Sequence, residues 1–132
     1  MPSQVVIENP VINSPFTAPQ RHFHFDDEGI TDTIEPERRR SEYFVPVAGL
    51  RKRGKQFRLE GEWTEDRVEE NKLVNRIRPI IDQWRRGGHQ GVTKTTRRLL
   101  EYWTDPDRER RLFFCQIEAL ETVIYIAEAA TK

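Results

Sequence analysis

Five cations fall within eight consecutive positions, at Arg51, Lys52, Arg53, Lys55 and Arg58. A cluster of that density can neutralise duplex DNA phosphates and release their counterions, giving a contact that weakens as salt rises. A solvated hairpin tip accounts for the same residues, since charge runs commonly face water. Both readings stay open on the sequence alone. Arg85-Arg86 and Lys94, Arg97 and Arg98 form smaller groups, explained by surface solvation or by pairing with Glu101 at helical spacing. His22 and His24 alternate on one strand face and, with His89, would be three nitrogen ligands for a metal. Carboxylate and cysteine partners at ligand spacing are lacking, so ordinary surface histidines are expected. Cys115 stands next to an expected helix start, which lowers a thiol pKa, but no base is paired with it and a packed cysteine is expected. No set of acid, base and nucleophile marks a free-standing hydrolase.

The chain that must position these groups has 132 residues, room for one compact domain at most. Apolar residues make up 36% and charged residues 33%, so a core-poor stretch must lie beside the parts that pack. The 22 basic and 22 acidic side chains cancel, which leaves attraction to nucleic acid or membrane to a local patch. One cysteine excludes an internal disulfide framework and suits a reducing compartment. No positive region leads an apolar run and no stretch is long enough to span a bilayer. A cytoplasmic protein without a membrane partner is expected.

The pattern predicts an α+β fold: β-hairpins first, then four short helices. Residues 1–20, with Pro10, Pro15 and Pro19, read as an extended arm that holds shape only when docked. Residues 21–63 read as hairpins. Arg21 to Phe25 alternates polar and aromatic, and Asp26-Asp27-Glu28-Gly29 is turn chemistry before Ile30; Glu35 to Arg40 reads as a solvated loop. Tyr43, Val45 and Val47 alternate, as do Phe57, Leu59 and Trp63, with Gly49 and Gly54 in the connection. Residues 64–111 read as helical. Thr64 is the expected first N-cap, and Val68, Val74, Ile77, Ile81 and Trp84 form one apolar stripe ended by Gly87-Gly88. Pro79 inside that stripe predicts a kink near Asn75, or two shorter helices. Thr93 caps a second helix with Leu99, Leu100 and Trp103 toward a core, and Thr104-Asp105-Pro106 ends it and starts another. The three tryptophans, Trp63, Trp84 and Trp103, read as core anchors. From Phe113 to about Ala130 two apolar rows leave only a narrow polar strip, so the last helix wants burial on most sides. So short a chain can hardly supply that, and the helix is expected to belong inside something larger.

At "RRLFFCQIEALETVIYIAEA" the chain resembles the start of the first motor domain of superfamily 2 helicases, specifically the helicase subunit of type III restriction enzymes. The segments "VINSPFTAPQRHFHFDDEGIT", "RRRSEYFVPV", "EWTEDRVEENKLVNRIRPIIDQWRRGG" and "GVTKTTRRLLEYWTDPDRERRLFFCQ" resemble the leader region of one such family, and together they span nearly the whole chain. The resemblance implies an ATP-driven DNA translocase subunit of a restriction-modification system, an endonuclease-linked hydrolase of phage defence. It makes residues 112–132 the start of a RecA-like motor domain. It places Gln116, preceded by Phe113 and Phe114, as the residue that contacts adenine. The chemistry suits that role, because a carboxamide pairs with adenine N6 and N7 in one plane and an adjacent aromatic face can stack on the base. Implied partners are the remainder of the helicase subunit, duplex DNA and a methyltransferase or specificity subunit.

The sequence departs from that family where phosphate chemistry should begin. A GxxxxGK loop followed by Ser or Thr would hold the nucleotide phosphates. The one Gly-Lys pair, Gly54-Lys55, is followed by Gln56. No DExH-like motif for Mg2+ and no nuclease signature occurs. The expectation is a fragment, truncated gene or split part that reads adenine in its intact parent and is catalytically silent by itself, with weak ATP binding or none. The alternative is a stand-alone nucleic-acid-binding or regulatory module acting through the basic loop.

Overall fold

The computed structural model describes residues 5–26, 28–45 and 68–130, and the fold is α+β. The chain forms two compact units. The first comprises residues 1–12 and 20–72; the second comprises residues 13–19 and 73–132. The expected 1–20 arm is therefore divided between them. Among the described residues no helix is long and apolar enough to cross a membrane.

In the first unit, β1 (His22–Asp26) pairs antiparallel with β2 (Gly29–Glu35). The turn chemistry works as its residues require. Asp26 Oδ1 accepts from the Glu28 amide at 2.9 Å, and Gly29 takes a φ of 121° that a side chain would resist. The register shifts between Phe23 and Phe25, where Thr31 Oγ1 donates to the His24 carbonyl at 2.9 Å.

The second hairpin differs from its expected form. β3 (Glu42–Phe44) pairs antiparallel with β4 (Val68–Glu70), in the register Glu42–Glu70, Tyr43–Glu69 and Phe44–Val68. The expected partner strand at Phe57 to Trp63 and the Thr64 cap lie outside the described residues. Val68, placed by its spacing on a helical stripe, is instead a strand residue. Cross-strand contacts explain the change: the Tyr43 hydroxyl donates to Glu69 at 2.6 Å, Arg40 pairs with Glu70, and the Asn71 amide donates to the Ser41 carbonyl at 2.9 Å. Such pairing outweighs the modest helical preference of two glutamates.

In the second unit, α1 (Lys72–Arg86) is one helix that contains Pro79, not two. Ile81 is fully buried, Ile77 and Trp84 are partly buried, and Val74 is exposed. The glycines end α1 as expected. The Gly88 amide donates to the Arg85 carbonyl, His89 donates to Trp84 at 3.0 Å, and Gly88 sits at φ 83°. His89 follows at φ 52°, an uncommon conformation for a residue with a Cβ.

α2 (Lys94–Thr104) begins at Thr93, whose Oγ1 accepts from the Thr96 amide at 3.2 Å. Leu100 is 3% exposed and Trp103 partly buried, but Leu99 faces water. The expected helix at Pro106 does not form. Asp105 closes a turn through the Asp107 and Arg108 amides, and the chain stays irregular to α3 (Phe114–Ile124). The structure thus has three α-helices among the described residues, where four were expected. A π-helical turn, Tyr125–Ala129, continues α3.

Among the described residues, a clear titration shift occurs in the β3–β4 hairpin. The Glu69 carboxylate, by hydrogen bond and then by charge, holds the exposed Tyr43 phenol above its usual 10. A raised folded value means that the interaction contributes fully below pH 10 and is lost as pH climbs through the folded midpoint. Ring-carbon NMR titration should therefore show Tyr43 ionising above 10, and Glu69→Gln should lower its midpoint toward 10. An unchanged midpoint in the variant would contradict the assignment.

Candidate functional site

α3 carries a buried carboxylate on the strip that its apolar rows leave polar. Glu121 has no solvent exposure, and its carboxylate is held by Arg85 at the end of α1 and His89 in the turn beyond. Arg85 Nε lies 2.9 Å from both Glu121 oxygens, and Arg85 Nη2 lies 2.8 Å from Oε1. His89 Nε2 lies 2.7 Å from Oε2. An ionised carboxylate only accepts, so the tautomer that fits carries hydrogen on His89 Nε2. Asp82, one turn before Arg85 on α1, takes Nη1 at 3.3 Å and Arg86 Nε at 3.0 Å. The cluster is packed by rings: Trp84 meets His89 edge-on at 4.7 Å and Tyr125 at 5.3 Å.

A buried charge is tolerated only when paired and hydrogen-bonded. Here the α1 ending supplies both conditions. Its last turn presents Arg85, and the left-handed residues that follow turn the His89 ring back onto Glu121. Arg97 of α2 braces that turn by donating to the Gly88 carbonyl at 3.0 Å and the His89 carbonyl at 3.2 Å. A second carboxylate seven positions on, Glu128 in the π turn, accepts from the Thr93 amide at 3.1 Å and Thr96 Oγ1 at 2.6 Å. It places negative charge at the start of α2, where the helix dipole favours it.

The first turn of α3 is the other polar feature. The Phe113 amide donates to Gln116 Oε1 at 2.9 Å, and the Gln116 amide donates to the Phe113 carbonyl at 3.0 Å. Gln116 thus closes the start of its own helix. The cap occupies one of two lone pairs on the oxygen. Gln116 is exposed, and Phe113 is 49% exposed. The Asn13–Pro19 segment packs beside them: the Phe114 amide donates to the Pro15 carbonyl at 2.8 Å, and the Phe16 and Phe113 rings lie 5.8 Å apart. The Arg111 guanidinium sits 4.3 Å over the Phe16 ring.

Among the residues expected to carry function, Phe113 and Gln116 stand together on the surface. Phe114 is partly buried beneath the Arg85 guanidinium, 5.0 Å from its ring centre. The basic loop of Arg51, Lys52, Arg53, Lys55 and Arg58 lies outside the described residues. Three simpler expectations are corrected. Arg85 is 25% exposed and tied to Glu121, so it is no solvated surface cation; Arg86, 79% exposed, is one. His89 is 17% exposed and paired, so it is no surface histidine. Cys115 is exposed where a packed residue was expected.

His22 and His24 border a shallow pocket of about 230 Å³ in the first unit, but each has a local partner, the Glu37 carbonyl and the Glu35 carboxylate. No group of three or more potential metal ligands occurs among the described residues. Comparison with protein families, with curated proteins and with solved structures gives no match.

Sequence reasoning missed Glu121, Arg85 and His89 as a set. Glu121 shares the polar strip with Glu118 and Glu128, so the pattern carried no signal for its burial. Replacing Glu121 by Gln removes the buried charge partner of Arg85 and leaves only the more exposed Asp82, and breaking a buried pair costs roughly 3–5 kcal/mol. Arg85 retains some access to water, so the lower end applies. Urea melts should show Glu121→Gln destabilised by about 3 kcal/mol; a loss below about 0.5 kcal/mol would show that the pair contributes no more than an exposed one.

Proposed function

We propose that this chain is the amino-terminal leader of an ATP-driven DNA translocase subunit of a restriction system, contributing an adenine contact and no catalysis. The observation that carries the reading is the joint display of Phe113 and Gln116 at the start of α3. The carboxamide is pre-oriented by the Phe113 amide, with one oxygen lone pair and the amide hydrogens left for a base edge. Phe113 offers the adjacent aromatic surface, while Phe114 packs against Arg85 and serves the fold. The segments that resemble the leader of the helicase-type restriction family support the assignment.

The groups present suit the base and not the phosphates. Glycine-rich phosphate loop and magnesium ligands belong to the remainder of the subunit, so Mg2+ and hydrolysis are assigned there. The outer face of α3 and of the π-helical turn that continues it supports a body of that kind against it: Ala119, Val123, Ile126, Ala127 and Ala130 recur at helical spacing and are exposed, Val123 to 67% and Ile126 to 55%. Duplex DNA, through the Arg51–Arg58 cations, and a methyltransferase or specificity subunit are the remaining proposed partners.

A single base-edge contact contributes about 1–3 kcal/mol, which corresponds to millimolar affinity or weaker. Amide NMR of the chain with adenosine should show Phe113 and Gln116 shifting in the millimolar range. Guanosine should leave them in place, and Gln116→Ala should remove the response. Equal shifts with the two nucleosides, or no shift with adenosine, would sink the reading.

A further inference from the structure

Arg85 touches α3 at two points on one side. Its guanidinium face lies 5.0 Å over the Phe114 ring and its edge forks onto Glu121, with three contacts of 2.8–2.9 Å. Phe114 and Glu121 are seven residues apart, which brings them back to nearly the same side after two helical turns. One rigid plane bearing on both points fixes the rotation of α3 about its own axis as well as its position along it. The plane is itself held, by Asp82 on the same helix and by the turn that Arg97 braces.

We infer that Arg85, acting through Glu121 and Phe114, is the positioning residue for the exposed first turn of α3, the turn that carries Phe113 and Gln116. Its functional weight rests on the adenine reading above. A carboxamide near the rim of a helix stands about 5–6 Å from the axis, so a 20° rotation of α3 would carry Gln116 through about 2 Å. Hydrogen bonding to a base edge does not survive that displacement, because the usable donor–acceptor range is only about half an ångström wide. The role needs an arginine. Lysine keeps the charge, but as a point charge on a flexible stem it cannot both fork onto Glu121 and lie flat on Phe114.

The test is Arg85→Lys in this same chain, read by amide hydrogen exchange and by the adenosine titration. The first-turn amides of α3 that bond to Pro15 and Phe113 should exchange about tenfold faster or more, while the α2 amide of Arg97, bonded to Thr93, keeps its rate. Adenosine affinity at Gln116 should fall about tenfold in parallel. Glu121→Asp retains charge and fork, and should lie between the wild type and Arg85→Lys on both measures. A wild-type rate at the α3 first turn, or an increase shared equally by α1, α2 and α3, overturns the inference; the second result makes Arg85 a general stabiliser only. Local acceleration in a chain whose wild type ignores adenosine leaves the clamp standing and removes the adenine reading.

Discussion

The carboxylate of Glu121 has no contact with water, and the second unit is arranged around satisfying it. A bare carboxylate in that position would cost several kcal/mol, more than a small domain can spare from a net stability of about 5–15 kcal/mol. Arg85 therefore has to fall on the inner side of the last turn of α1. The chain has to reverse at Gly88 and take the left-handed conformation at His89, so that the imidazole points back. α3 has to run past that corner with Glu121 inward. Fixing that residue commits the outer side of α3, which leaves Val123 and Ile126 exposed although both are apolar. The same geometry sends Glu128 to the start of α2, so two acidic residues of one continuous segment hold the ends of two other helices.

Buried apolar side chains are few among the described residues, Ile81 and Leu100. Directional contacts supplement these two side chains. Guanidinium–ring stacks recur in both units, Arg39 over Phe25, Arg85 over Phe114, Arg108 over Tyr102 and Arg111 over Phe16. Each covers an aromatic face with a weakly hydrated cation, a workable substitute for core in a chain with so many charges. The consequence for function is that ring faces are sorted. Phe114 is covered by a cation tied to Glu121, while Phe113 is left half open beside Gln116.

Local chemistry was legible in the sequence and long-range chemistry was not. Thr93 capped its helix, Gly87-Gly88 ended theirs, and the Asp26–Gly29 stretch turned, because each acts on backbone groups within a few residues. Val68 misled because an apolar residue spaced to join a helical stripe fits a strand equally well; the contacts that decide the matter come from Arg40, Ser41 and Tyr43, far back in the chain. Glu121 stood on the polar strip beside two apolar rows, and nothing local distinguishes a buried glutamate there from a solvated one. Its partners lie 32 and 36 positions away. The docking of Pro15 and Phe16 at the start of α3 was hidden for the same reason. Gln116 was singled out through a resemblance, and the structure adds its hydrogen bond to the Phe113 amide.

The central claim is that Arg85 and Glu121 act as one buried unit. A double-mutant cycle on unfolding free energy, using Arg85→Ala, Glu121→Ala and the double variant, measures it most directly. The account predicts strong non-additivity, with a coupling of about 2–3 kcal/mol and a double variant little worse than either single one. Additive losses, with coupling below about 0.5 kcal/mol, would mean that the two side chains merely sit near each other and that something else holds α3 in place.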